Sequence, residues 1–250
     1  MSSKKRKRRI LFALLMLVLL LVTGCSSPES ASTTSEPLGG LLGNRSETLD
    51  ILGLLTVLSV LPSILIMFTS FTRIIIVLAF VRNAIGLQQM PPNQVLIGLT
   101  LILTFFVMSP VFTQIDKEAY EPYVANQITQ EQAVEKALNP IRNFMFKQTY
   151  KEDLQFFQDV AKIQPQTLEE IPTEVLTPAF VTSELKRAFQ IGFLIYIPFI
   201  VIDMIVASAL MSMGMMMVPP TVISLPFKVL LFVLVNGWTL TIQTLITGFA

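Results

Sequence analysis

The chain has 250 residues, 52% hydrophobic and only 14% charged, with a mean hydropathy of +0.66 and a formal net charge of +1. That balance excludes an ordinary soluble domain and fits a polytopic membrane protein. With no histidine and one cysteine, Cys25, a His/Cys metal centre, a Cys/His nucleophile and an internal disulfide are excluded too.

Six of the 18 basic residues stand in Lys4–Arg9. Ile10–Val22 follows as an apolar run of about 13 residues, short for a bilayer core of ~30 Å. A basic stretch, a short apolar core and small residues read as a bacterial secretory signal over 1–25, not as a nucleic-acid patch. The signal ends Val22-Thr23-Gly24-Cys25, the form of a lipobox in which the cysteine is diacylated and becomes the new N-terminus. Ordinary cleavage within Ser26–Thr34 is the other reading. Without the signal, 12 Lys/Arg face 17 Asp/Glu, a balance of −5.

Residues 26–48 are rich in Ser, Thr, Gly and Pro and read as a flexible linker. The first apolar hairpin occupies 49–115. Its leading run, Leu49–Val81, would be ~50 Å long as one straight helix, more than a bilayer. It is expected to kink at Pro62, to be re-entrant, or to lie partly outside lipid; Ser70, Thr72 and Arg73 also interrupt it. "RNAIGLQQMPPN" is the turn, and Gln94–Thr113 is the second helix.

Residues 116–183 form a small polar helical domain holding 11 of the 17 acids, marginal alone unless it packs on partners or copies of itself. Thr129 can cap a helix with Glu131 and Gln132 in its first turn, and Pro140 bends or restarts it. In "YKEDLQFFQDVAKI", Leu154, Phe157, Val160 and Ala161 share one helical face. Residues 184–250 form the second apolar hairpin, whose turn "MSMGMMMVPP" carries no charge. Its Pro-Pro punctuation matches "QQMPPNQV" of the first turn, a weak internal repeat or chance. A cleaved signal puts residue 26 outside, which makes the Arg82 turn cytoplasmic and the polar domain extracytoplasmic, in agreement with the positive-inside rule. The fold class expected is all-α: two long kinked helical hairpins flanking a small helical extracytoplasmic domain.

Ionisable groups in apolar segments are expensive in lipid and face protein or water. Arg73, Asp203 and Lys228 are such groups. They either pair to fix helix register, Arg73 or Lys228 with Asp203, or act as an ion relay. At the junction "LTPAFVTSELKRAFQIGF", Pro178 suits a helix start with Thr177 as its cap, and Glu184 stands three residues before Arg187, within reach of a local pair. A hydrogen bond from Glu184 to a neighbouring subunit is the other option.

Residues 177–238, "TPAFVTSELKRAFQIGF…LMSMGMMMVPP…LVNGW", together with "QTYKEDLQFF" and residues 71–110, resemble the FliP/SpaP/YscR family of type III secretion export-gate subunits. The likeness covers nearly all of 45–250, and the N-terminal signal resembles its flagellar branch. The resemblance implies a non-enzymatic subunit without cofactor or metal. Five copies assemble with FliQ and FliR subunits into a gate at the base of the flagellar rod, through which unfolded rod, hook and filament proteins pass. It implies a multi-pass protein of the bacterial inner membrane and flagellar basal body, partly at periplasmic level once assembled. It places Met215, Met216 and Met217 in a gasket around the closed pore, and Phe144, Phe157 and Glu184 in subunit packing. Cys25 departs from the family pattern. An ion-coupled small-solute transporter using Arg73, Asp203 and Lys228 is the alternative, though four apolar segments are few for one.

Overall fold

The computed structural model describes residues 47–87, 89–215 and 217–249. They form α1 (Glu47–Phe68), α2 (Phe71–Ile85), α3 (Asn93–Ile115), a five-residue π segment (Asp116–Tyr120), α4 (Glu121–Val124), α5 (Gln130–Gln148), α6 (Lys151–Ala161), α7 (Thr173–Ser212), α8 (Pro220–Leu234) and α9 (Gly237–Thr247). Among the described residues there is no strand, so the fold is all-α as expected. The proposed signal, the linker up to residue 46 and the candidate lipidation site Cys25 lie outside the described residues, as does Met216.

Among the described residues three stretches are long and apolar enough to cross a membrane: Ile51–Phe68, Asn93–Val124 and Thr173–Ser212. α8 and α9 make a fourth if taken as one span, bent by 60°. Several hydroxyl groups inside these apolar helices are satisfied locally. Thr100, Thr113, Thr241 and Thr244 each donate to the carbonyl four residues back, so no partner from outside the helix is needed.

The break in the first apolar run falls at Thr69–Ser70, and α1 passes through Pro62 without ending. The cause is hydroxyl competition for backbone groups. Thr69 Oγ1 donates to the Leu65 carbonyl (2.6 Å) and accepts from the Phe71 N–H (3.3 Å), while Thr72 Oγ1 donates to the Ile66 carbonyl (2.9 Å). In α5 the expected Thr129 cap is present as a full capping box with Gln132, and the helix runs unbroken through Pro140. In α6, Leu154 and Phe157 are half-buried, but Val160 is exposed and the buried residue is Asp153. Bonds from that carboxylate to α7 fix which side of α6 faces inward.

α7 is the spine of the described fold. It starts at Thr173, five residues before Pro178, and Thr177 Oγ1 donates to the Thr173 carbonyl (2.7 Å) instead of capping a new helix. The boundary expected between residues 183 and 184 therefore falls inside one continuous helix of 40 residues. At 1.5 Å per residue that helix is about 60 Å long, twice a bilayer core. α7 packs against α2, α5, α6 and α8, and three apolar clusters follow one another along it. Leu176 and Phe180 join Met108, Val111, Phe144, Met145 and Ile171. Ala188 joins Ile74, Val77, Leu78, Leu96, Leu103 and Leu245. Phe199 joins Val81, Ala84, Ile85 and Phe232. Gly192 lets α2 approach closely: a Cβ there would stand 2.5 Å from the Phe80 ring.

Candidate functional site

Among the described residues Arg73 is the largest fully buried side chain, 1% exposed, in the first turn of α2 just after the helix break. Its planar fork meets four acceptor oxygens from three separate parts of the chain. Nε donates to Glu184 Oε2 (2.9 Å) and Nη2 to Glu184 Oε1, a bidentate pair to α7. Nη2 also donates to Gln148 Oε1 (3.0 Å) at the end of α5, and Nη1 to the Gly248 carbonyl (3.0 Å) beyond α9. The Phe249 ring closes the last side, its centroid 3.7 Å from the guanidinium carbon. That ring stacks on Phe144 of α5 in turn, at 6.3 Å and 24°.

The expected local pair between Glu184 and Arg187 does not form. Glu184 is fully buried and bonded to Arg73, 111 residues away, because the buried guanidinium offers two parallel donors and Arg187 points elsewhere. Arg187 Nη1 donates to Gln148 Oε1 (2.6 Å), and its guanidinium stands 4.6 Å from the Tyr150 ring. Beside this node Asp153 accepts from Ser183 Oγ (2.7 Å) and Lys186 Nζ (2.8 Å), while Ser183 Oγ accepts from the Tyr150 N–H (3.0 Å). Burial works to raise the Asp153 carboxyl. The bonds from Lys186 and Ser183, with the Lys186 charge, outweigh it and hold the group below the usual carboxylate range.

Asp203 and Lys228 form a second node. Of the two partners expected for Asp203 it is Lys228, with Nζ to Oδ2 at 2.6 Å, while the buried Ser224 hydroxyl donates to Oδ1. The pair joins the lower half of α7 to α8 across the methionine turn. The remaining predicted residues sit apart from both nodes or at their rim. Phe144 is buried, edge-on to Phe180 at 6.0 Å. Phe157 is half-buried, edge-on to the exposed Phe156 at 5.1 Å.

The methionine turn has a defined backbone. Gly214, at φ +76°, ends α7 in a left-handed conformation. The Met215 N–H donates to the Leu210 carbonyl and the Gly214 N–H to the Met211 carbonyl, both at 3.0 Å, the two bonds of a Schellman motif. The backbone is thus tied while the side chains stay free. Met213 is 72% exposed, Met215 45% and Met217 98%.

Among the described residues no three His, Cys, Asp or Glu side chains converge as a metal site. Gln148, Ser183, Gly248, Phe249 and Ser224 were not anticipated from sequence. A neutral amide, hydroxyls and a backbone carbonyl carry no charge pattern to mark them; only the surplus of charge in apolar segments hints that such partners exist.

Residues 54–245 match the FliP family. The chain is 58% identical over 207 residues to the flagellar biosynthetic protein FliP of Bacillus subtilis (strain 168), covering 82% of this chain and 94% of that one. The protein of the same name from Pectobacterium carotovorum subsp. carotovorum is 57% identical over 210 residues, with 83% and 81% covered. That of Aquifex aeolicus (strain VF5) is 50% identical over 210 residues, with 83% and 88% covered.

Proposed function

The chain belongs to the FliP family, and from that premise we propose that it is a pore-forming subunit of the flagellar protein export gate. In this reading it assembles as a ring of five copies with FliQ and FliR subunits and passes unfolded rod, hook and filament proteins. It works from the inner membrane, partly at periplasmic level, as a structural subunit with no catalytic residue. Phe144, Phe157 and Glu184 serve packing of the chain and its neighbours.

The observation that carries the proposal is the methionine turn: a backbone fixed by Gly214 and bare thioether side chains at Met215 and Met217. Unbranched, polarizable chains can close on one another against water and deform around varied polypeptides. A hydrophobic ring of this kind gates by dewetting without fixed charges. The pairing of Arg73 with Glu184 and of Lys228 with Asp203 supports a structural role for these charges over the relay that the transporter alternative needs.

The test is electrical and physiological. Replacing Met215, Met216 and Met217 by glycine should leave the assembled complex intact by native mass spectrometry and make the membrane leak ions. A tight membrane around an assembled variant refutes the gasket. A deletion strain should lose motility and extracellular flagellin while small-solute uptake is unchanged.

A further inference from the structure

The charges of the Arg73 node do not balance. Two guanidinium groups, Arg73 and Arg187, stand at the node beside one carboxylate, Glu184, which bonds Arg73 alone, and both donate to one neutral oxygen, Gln148 Oε1. Arg73 takes both oxygens of Glu184. Asp153, the nearby second carboxylate, is held by Ser183 and Lys186. Among the described residues no carboxylate oxygen lies within 4.0 Å of the Arg187 guanidinium, since the ion pairs there are Arg73–Glu184, Lys186–Asp153 and Lys228–Asp203. A half-buried guanidinium whose hydrogen bond goes to an amide oxygen already in use is an unneutralised cation, and desolvated charges ordinarily find a counter-ion.

The surroundings of Arg187 define what would fit. The Tyr150 ring is flanked by the guanidinium at 4.6 Å and by Lys186 Nζ at 5.6 Å, and the Tyr150 hydroxyl lies 3.4 Å from Gln190 Oε1. Lys186 and Gln190 are exposed, so this corner of α7 opens outward as a cationic and aromatic patch. The apolar Leu185, Phe189 and Phe193 beside it are exposed as well. The patch fits a carboxylate presented on a protein surface with apolar neighbours.

The chain itself carries such carboxylates. Its polar region is acidic, and Glu118, Glu121, Glu131, Glu135, Glu152 and Glu174 are all exposed there. We infer that Arg187 is one half of a contact between copies, its guanidinium completed by an exposed carboxylate from residues 116–183 of a second copy of this chain. The inference rests on the multi-copy reading above, and it makes the buried Arg73 node complete only in the assembly. Arg187 thus communicates between the internal pair and the neighbouring subunit through the shared Gln148 oxygen.

Two measurements on the full chain, co-expressed with the FliQ and FliR subunits and purified in mild detergent, decide it. First, native mass spectrometry compares wild type, Arg187→Gln and Lys162→Gln. The assembled fraction should fall at least tenfold for Arg187→Gln at low salt, and the gap to wild type should narrow as added salt screens the contact. Lys162→Gln, which removes an exposed cation outside the patch, should change it less than threefold. Unaltered assembly of Arg187→Gln overturns the inference, whereas a wild type found only as monomer overturns the multi-copy reading itself. Second, Arg187→Lys in a Lys186→Gln background puts one primary amine at the site. Carbodiimide treatment of the complex then joins that amine to a carboxylate within reach as an amide, the reagent taking up the water released. A cross-linked peptide pair joining residue 187 of one copy to an acidic peptide from 116–183 of another supports the contact. Coupling only within one chain, to a different subunit, or to nothing, as a lipid phosphate at Arg187 would give, overturns it.

Discussion

Removing the Glu184 side chain puts the Arg73 node to its hardest test. Glu184→Ala strands a guanidinium that is 1% exposed and deletes two charge-assisted hydrogen bonds. Such bonds contribute ~1.5–3 kcal/mol each, and breaking a buried pair by removing one partner costs ~3–5 kcal/mol. Arg73 keeps its bonds to Gln148 and Gly248 and its stack on Phe249, which places the loss near the lower end, about 3 kcal/mol. That is a factor of roughly 100 in the folded-to-unfolded ratio. Urea titration in mixed micelles reads it through the sole tryptophan, Trp238, which packs edge-on against Phe232. With slopes of ~1–3 kcal/mol per molar urea, the midpoint should fall by about 1–3 M. Adding Arg73→Met to Glu184→Ala should recover most of the loss, because no stranded charge is left, though Gln148 and the Gly248 carbonyl then lack a donor. A Glu184→Ala midpoint within ~0.2 M of wild type, or a double variant as weak as the two single losses summed, refutes the account of a coupled buried pair.

Lys228→Met should lower stability by ~1–3 kcal/mol, since Asp203 then keeps only the Ser224 hydroxyl; exchanging the two charges, Asp203→Lys with Lys228→Asp, should restore part of it in the same urea assay. Gly192→Ala should cost ~1–3 kcal/mol, because the new methyl meets the root of the Phe80 side chain, which cannot swing aside; Phe80→Ala removes the clashing Cγ, so the two changes together should cost less than their sum. The Asp153 carboxyl is depressed in the folded state, so its contribution is fully present above the unfolded value of ~3.9 and is lost as pH falls through the folded value. Thermal unfolding followed from pH 6 downward should therefore show wild type losing stability below about pH 4 more steeply than Asp153→Asn. Parallel curves would refute the assignment.

Much of the fold was legible because it rests on local rules. Apolar runs marked the long helices, and Thr129 with Gln132 announced the capping box. The misplacements share a cause: Pro62 was read as a kink, Pro140 as a bend or restart and Pro178 as a helix start, whereas all three sit inside helices. A proline forfeits one hydrogen bond, and packing along the rest of the helix outweighs that loss. The actual break at Thr69–Ser70 is made by side-chain hydroxyls whose bonds are invisible as a sequence pattern. The candidate site was legible residue by residue but not pair by pair. Arg73 and Glu184 were both singled out, yet 111 residues separate them, and the nearer Arg187 offered a spacing that helical geometry makes plausible. Asp203 and Lys228 were recoverable because few charges compete in their stretch of chain.

The continuity of α7 constrains how the methionine turn can move. Glu184 and the turn belong to the same helix, so a displacement of the turn relative to the Arg73 node must be absorbed between residue 184 and residue 219. Within α7, Pro198 withholds the N–H that would bond the Leu194 carbonyl, leaving one gap in an otherwise regular ladder. Below it, the Asp203–Lys228 pair ties α7 to α8, so the two helices are bound together close to the turn. Motion originating above Pro198 would carry this pair with it as a unit. Motion below is confined to Met213–Pro219, where Gly214 already occupies the left-handed region. The hydrogen bonds that hold Gly214 and Met215 close back onto α7 itself, not onto a neighbour. The exposed thioether chains can therefore rearrange with no more than rotamer changes, which cost far less than unwinding a helix end. The proposed seal, opening by side-chain rearrangement, would leave both charged nodes undisturbed, and on that proposal replacing the methionines should change leakage without changing assembly.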